Sequence, residues 1–475
     1  MSTFEVDLVK DSTMKMIAAI LAKKGSFTPL SYKEVQSITQ MGLAPYVFNV
    51  GDIIEVARET SVQASLGAHT GITNVTVSED KFVTAMAEAG TKEYEFVYDG
   101  SAWKYSETPI ILTNYGLSVS GTPAEGDTFL VIETADVIEM VIMDFITPDS
   151  DMVSIKLHDK TKKYGIILQS KYLVYSLQFD AKEAFFSNSE ELAAGTYHFK
   201  LGAHTWVSSD VGKFFKFTTT QTLPAGAQLY FNQAYNATLE GATVNVYASG
   251  ASTTPIETVT LSEGSDGTNL GVLDNTLNNA GFNCCQRALF GSNRWETSAI
   301  RQHLNSEKPA GSVWAPRTVF DRPPLWAASI AGWMHGLDPG FVGVCADVEL
   351  LTALNYTCDT TYAEATAGTG YETTTDKFFV PSRPEVFGGG DTTSDKGTPW
   401  AWYKANSDKP DASYNGDEDS NRVKTYKTSG TTSYWWLRSP YAGNGCTARI
   451  VSRAGAIDNN TAYISHGVPP ACIIA

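Results

Sequence analysis

The chain has 475 residues, of which 43% are hydrophobic and 18% charged, and its formal net charge is −17. This is enough apolar material for packed cores and too little charge for global disorder, and the length suggests roughly two to four domains. The acidic excess repels phosphate backbones and argues against nucleic-acid binding, and no apolar run approaches the roughly 20 residues that span a bilayer. Gly (39), Tyr (22) and Trp (10), together with abundant Ser and Thr, favour strands and ordered loops over helical bundles.

The opening segment is predicted to form two short helices. Ser12 caps a stripe of Met14, Ile17, Ile20 and Leu21 that stops at Gly25, and the segment has no basic start or cleavage site of a secretory signal, so folding in a cytoplasm is expected. Ser31-Tyr-Lys-Glu34 is a capping-box pattern ahead of Val35, Ile38 and Met41, with Gly42 as the stop. "YVFNVGDIIEV" (46–56) reads as a strand with a Gly-Asp turn.

Alternating runs then follow: "NVTVSED", "YEFVYDG", "SAWKY", "GLSVSG" and "DTFLVIE" predict an antiparallel β module over 58–133. The texture changes over 134–187 ("DVIEMVIMDFI", "YGIILQSKYLVYSLQF"). A second β block over 188–272 carries "GTYHFKLG", "KFFKFTTT", "LPAGAQLYF", "ATVNVYAS" and "PIETVTLSEG".

From about 285 the chain is aromatic and loop-rich. "NRWETSAIRQHLNS" (293–306) predicts a helix starting near Thr297 or Ser298, and "LWAASIAGWMHGL" (325–337) another. "DKFFVPSRPEVFGG" (376–389) reads as a strand and turn, and 390–430 as loops without a period.

Catalytic and metal patterns are weak. Adjacent Cys284 and Cys285 read as ordinary buried thiols, since no C-x-x-C occurs among Cys284, Cys285, Cys345, Cys358, Cys446 and Cys472. His303 and His335 lack a spaced partner, and "NGDEDSN" (415–421) lacks the spacing of the common calcium loop. No cofactor, metal or catalytic residue is expected.

The C-terminal 434–475 carries the most information. "YWWLRSP" supplies a rigid frame of Trp435, Trp436, Arg438 and Pro440, and "GVPPACII", containing Pro470, a closing strand. Between them "ARIVSRAGAID" predicts a hairpin turning at Ala454-Gly455. Its mixed residues are predicted to share one exposed face suited to recognition.

In that order, "NRWETSAIRQHLNS", "DKFFVPSRPEVFGG", "YWWLRSP" and "GVPPACII" resemble the C-type-lectin-like domains that end phage and prophage structural proteins of gut bacteria. "SYKEVQSITQMGLAPYVFNVGDII" resembles the opening of these proteins, and "AAGTYHFKLG", "LPAGAQLYF" and "PIETVTLSEGSDGTNLG" their β insert. Many members are diversified by retroelements that mutate template adenines, so variable codons often start as AAC. Tyr441, Gly445, Cys446, Thr447, Ile450, Ser452, Asp458, Thr461, Tyr463, Ile464 and His466 can each be reached from AAC by changing its adenines, and Asn459 and Asn460 would be unchanged. With Asn444, these residues form the expected ligand-binding face.

The resemblance implies an α+β chain. Residues 1–45 would be a helical docking or oligomerisation segment, with 46–57, 134–187 and 285–475 forming the lectin-like domain and 58–133 and 188–272 β inserts. It implies a non-enzymatic receptor-binding protein of the virion that binds a host cell-surface protein or glycan. It would contact other virion proteins through the N-terminal segment and oligomerise, a trimer being favoured, with no membrane insertion. A capsid or tail decoration protein without a specific ligand is the first alternative and a glycan-active enzyme the second. The same fold serves formylglycine-generating enzymes, but their catalytic cysteine pair has no counterpart here.

Overall fold

The computed structural model describes residues 30–77, 90–150, 152–202, 208–232, 238–265, 267–274, 281–354, 370–391, 395–405 and 419–475. The predicted helix at 12–25, Cys358 and the acidic stretch 415–418 lie outside them. The chain is rich in strands with few helices. It divides into two compact units, one built on 52–141 with 336–345, the other on 142–335 and 346–475.

Near the start, helix Tyr32–Gln40 begins as predicted. The Ser31 hydroxyl accepts from the Glu34 amide (3.3 Å), and the Glu34 carboxylate accepts from the Ser31 amide (2.9 Å). Val35 and Ile38 are buried, while Met41, expected on the same stripe, is 47% exposed because the helix has ended before it. Residues 44–47 form a second short helix rather than the expected strand, since Pro45 at its first turn fixes a helical φ; the strand starts at Ile53.

In the first unit, strand Ile53–Leu66 pairs antiparallel with Thr128–Ile146, from Ile53 opposite Val141 to Leu66 opposite Phe129. Gly90–Tyr98 lies on the other side of the same strand, followed by Trp103–Tyr105 and Thr108–Ile110. Alternation turns Phe96, Trp103, Phe129 and Val131 to one core, where Phe96 and Phe129 stack at 4.7 Å. Each such fully buried side chain contributes about 1.5–3 kcal/mol.

In the second unit, residues 186–273 form two four-stranded sheets. One contains Phe186–Ser187, Gln228–Phe231, Thr243–Tyr247 and Glu257–Thr260; the other Ser262–Gly264, Phe214–Thr219, Gly195–Leu201 and Asn269–Leu273. Their inward residues, among them Phe199, Phe215, Phe217, Leu229, Phe231 and Val244, share one core with Phe185 and Phe282.

The same unit holds the C-terminal strands. Ile155–Leu157, Val348–Leu354 and Gly370–Asp376 make a three-stranded sheet. Gly165–Ser170 pairs with the closing strand Ala471–Ile474, and Pro470 accepts the Ser170 amide at 2.8 Å. A five-stranded sheet runs in the order Tyr175–Gln178, Ser465–Val468, Trp435–Pro440, Thr447–Val451, Ile457–Thr461. All of "WWLRSP" is buried: the Trp435 indole donates to the Arg422 carbonyl (2.9 Å) and the Trp436 indole to the Leu177 carbonyl (2.8 Å).

Helix Ala299–Leu304 starts where the sequence places it, with Ser298 as the cap. Two expectations are corrected. Residues 325–335 make turns, not a helix, because their amides bond across to another segment: Gly332 to Lys308, Trp333 to His303 and Met334 to Ser306. "SRPEVF" is a helix, Arg383–Phe387, because Ser382 and Glu385 cap it reciprocally and Pro384 sits in its first turn. Cys285 is a buried thiol as expected, whereas Cys284 is disulfide-bonded.

Candidate functional site

The hairpin Thr447–Val451/Ile457–Thr461 turns at Gly455, as predicted. Its φ is +82°, and a Cβ there would meet the Asp419 carbonyl at 1.9 Å, so glycine is required. Directly opposed residues project to the same side, so the register sorts the side chains. Ala448 with Asn460 and Ile450 with Asp458 share one side; Thr447 with Thr461 and Arg449 with Asn459 share the other.

On the first side, His466 lies edge-on to Trp436 (4.8 Å) and beside Tyr434 (5.5 Å), and Asn460 Nδ2 donates to its Nε2 at 2.9 Å. That bond requires a neutral ring. Burial, with Arg453 nearby, pushes the imidazole down to about 4, against a smaller upward pull from Asp458. On the second side, the Arg449 guanidinium lies over the Tyr441 ring at 4.6 Å and bonds Asp391 (2.6 and 2.8 Å).

The loops flanking the hairpin are held by side chains from outside the 441–466 segment. Asn293 Nδ2 donates to the carbonyls of Asn444 (2.9 Å) and Thr447 (3.0 Å), and its own amide donates to the Gly445 carbonyl at 3.1 Å. Asp391 accepts the Ala442 amide (3.2 Å), and Gln286 the Gly445 amide (3.3 Å). At the other loop, Gln178 Nε2 donates to the Tyr463 carbonyl (2.6 Å), while the Tyr463 amide donates to the Phe290 carbonyl and the Asp180 amide to the Ala462 carbonyl, both at 3.0 Å. Backbone shape here is set from elsewhere in the chain.

The predicted face is narrower than the sequence suggested. Asp458 is exposed; Tyr441, Asn444, Ser452, Asn459, Asn460, Thr461, Tyr463 and Ile464 are partly exposed. Gly445, Cys446, Thr447, Ile450 and His466 are buried. A single exposed face holding all of them is not formed, because strand pairing alternates side chains between two sides and Trp436 covers part of one. Burial raises the Cys446 thiol to about 12, which leaves it unreactive. The frame residues Trp435, Trp436, Arg438, Pro440 and Pro470 are all buried.

Sequence reasoning missed the neighbours that complete the surface. Lys182 Nζ lies 4.9 Å from the centre of the Tyr463 ring, the Arg453 guanidinium lies over Tyr434 at 5.4 Å, and Leu325 is 85% exposed. The Gln178 side chain ties Leu325 to Tyr463, accepting the Leu325 amide at 2.7 Å. Lys182 is distant in sequence and carried no signal; Leu325, Arg453 and Tyr434 sit inside segments already singled out, Leu325 in one read only as a helix.

Among the described residues, no group of three or more His, Cys, Asp or Glu is placed to hold a metal ion, and no helix is long and apolar enough to cross a membrane. Residues 272–475 match a family described as a domain of unknown function, DUF6273. No curated protein and no solved structure matches the chain.

Proposed function

We propose that the chain is a host-attachment protein of a phage particle. On this reading its C-terminal part is a C-type-lectin-like scaffold whose exposed 441–464 residues capture a host cell-surface protein or glycan without catalysis. One observation carries this reading: the backbones of the 441–447 and 462–464 loops are clamped by Asn293, Asp391, Gln286 and Gln178, which lie outside the segment. Side chains at Tyr441, Asp458, Asn459, Thr461, Tyr463 and Ile464 can therefore change while the frame stays. Tyr and Asn give such a surface broad contact and adaptable hydrogen bonds at low ordering cost. Modest single-site affinity would become firm attachment through several copies, and a trimer presented on the virion fits that need.

The test replaces those six residues together, keeping each polar or apolar as its burial requires. Adsorption to host cells is then measured with particles carrying the variant, after a thermal melt shows that folding is intact. Loss of adsorption is expected. Unchanged adsorption would overturn the reading and leave a decoration protein as the better one.

A further inference from the structure

Beneath both loops lies a buried acidic node that attachment as such does not require. Asp180, Glu183 and Asp321 are 6%, 1% and 5% exposed. Glu183 is paired with Arg287 (3.1 Å from Nε, 2.7 Å from Nη2) and bonded by Asn283. Asp321 accepts the amides of Arg317 and Thr318 and the Thr318 hydroxyl. Asp180 is different. Its carboxylate accepts the Ser292 amide at 3.2 Å, and no Lys, Arg or His among the described residues forms an ion pair with it. The charged groups facing it are Glu183 on its own segment, Asp321 from the 317–322 loop and Arg287 from helix Cys285–Phe290. Its neighbour Lys182 turns to the Tyr463 ring instead.

The position of Asp180 gives this a consequence. Its amide bonds the Ala462 carbonyl in one loop, and its carboxylate bonds Ser292, the residue before the Asn293 that clamps the other loop. We propose that Asp180 is a proton-linked positioning residue: with its carboxyl protonated the brace under residues 441–447 and 462–464 is seated, and with it ionised beside Asp321 and Glu183 the brace and both loops loosen.

The sign follows from the surroundings. Burial first, then Asp321 and Glu183, hold the Asp180 carboxyl well above the usual aspartate range, against the Ser292 amide and Arg287. Glu183 is raised too, chiefly by burial. A raised folded value means that the stabilisation is fully present below the unfolded value and is lost as pH rises through the folded one. The bearing on ligand capture rests on the function proposed above; the loop behaviour does not, and it is measurable without a ligand.

The experiment is hydrogen exchange of the full chain across a pH series that starts near the ordinary aspartate range and runs to pH 9, corrected for intrinsic rates and read on peptides covering 441–447 and 462–464. Protection of both peptides should fall several-fold as pH rises in the wild type and stay flat in Asp180→Asn, which keeps the shape of the protonated side chain. Asp321→Asn, which removes one repelling charge, should reduce the fall. The same fall in Asp180→Asn, or a fall shared by peptides throughout the chain, would overturn the proposal. If loops respond to pH as expected but the six-residue replacement leaves adsorption unchanged, the brace stands and the attachment reading falls.

Discussion

Arg438 and Glu385 meet in a two-pronged ion pair from which both side chains are fully excluded from solvent. Glu385 also closes the capping box by accepting the Ser382 amide (2.8 Å) and takes the Ser154 hydroxyl (2.6 Å). One carboxylate thus joins the frame strand, the Arg383–Phe387 helix and the 154 loop. Arg438→Met should destabilise the chain by about 3–5 kcal/mol, because the carboxylate is left buried without its partner. Replacing both, Arg438→Met with Glu385→Gln, should cost less than Arg438→Met alone. Denaturant unfolding of the full chain checks both.

Lys424 is buried, with Nζ donating to the Ser170 carbonyl (2.8 Å) and more distantly to that of Lys171 (3.4 Å). Burial lowers it from 10.5 to about 7. Because the folded value is depressed, the folded chain holds fewer protons than the unfolded chain between about 7 and 10.5, so this residue adds stability as pH rises. Unfolding measured at pH 7 and pH 9 should show a gain of about 1–2 kcal/mol in the wild type relative to Lys424→Met. Equal pH dependence in the two proteins would contradict this.

Asn293 and the exposed face should respond oppositely to substitution. Asn293→Ala removes the side-chain donor from the Asn444 carbonyl and one of the two donors, the other being the Tyr441 amide, from the Thr447 carbonyl, and should cost about 1–3 kcal/mol. Asp458→Lys, on the exposed strand position, should stay within about 0.5 kcal/mol. Thermal melts of the two variants decide it, and a large effect of Asp458→Lys would show that the face is structural.

A two-residue turn joins Trp103–Tyr105 to Thr108–Ile110, with Ser106 at φ 45° and Glu107 at φ 66°. Neither residue favours that left-handed region, whereas Asn-Gly does. Glu107→Gly should stabilise the first unit by about 0.5–1 kcal/mol. Hydrogen exchange of residues 103–110 reads the effect locally, and slower exchange is the expected result.

What the chain announces in advance is local. The capping box at Ser31, the helix start at Ser298, the glycine turn at 455 and the alternating strands of both β blocks follow from side-chain periods and cap chemistry, which act over a few residues. The 325–335 segment and "SRPEVF" misled for a related reason: in the first, apolar spacing suits a helix but its amides find partners at 303–308, and in the second, a short helix needs only Ser382 and Glu385 to be worth forming. Tertiary structure alone decided which side each 441–466 residue occupies. The inner place of Thr447–Val451 in its sheet and the cover of Trp436 bury Ile450 and His466, while the edge place of Ile457–Thr461 leaves Asp458, opposite Ile450 on the same side, in water. It also decided that Asn293, Gln178 and Asp180 brace the loops, since hydrogen bonds between residues more than a hundred places apart leave no period in a sequence.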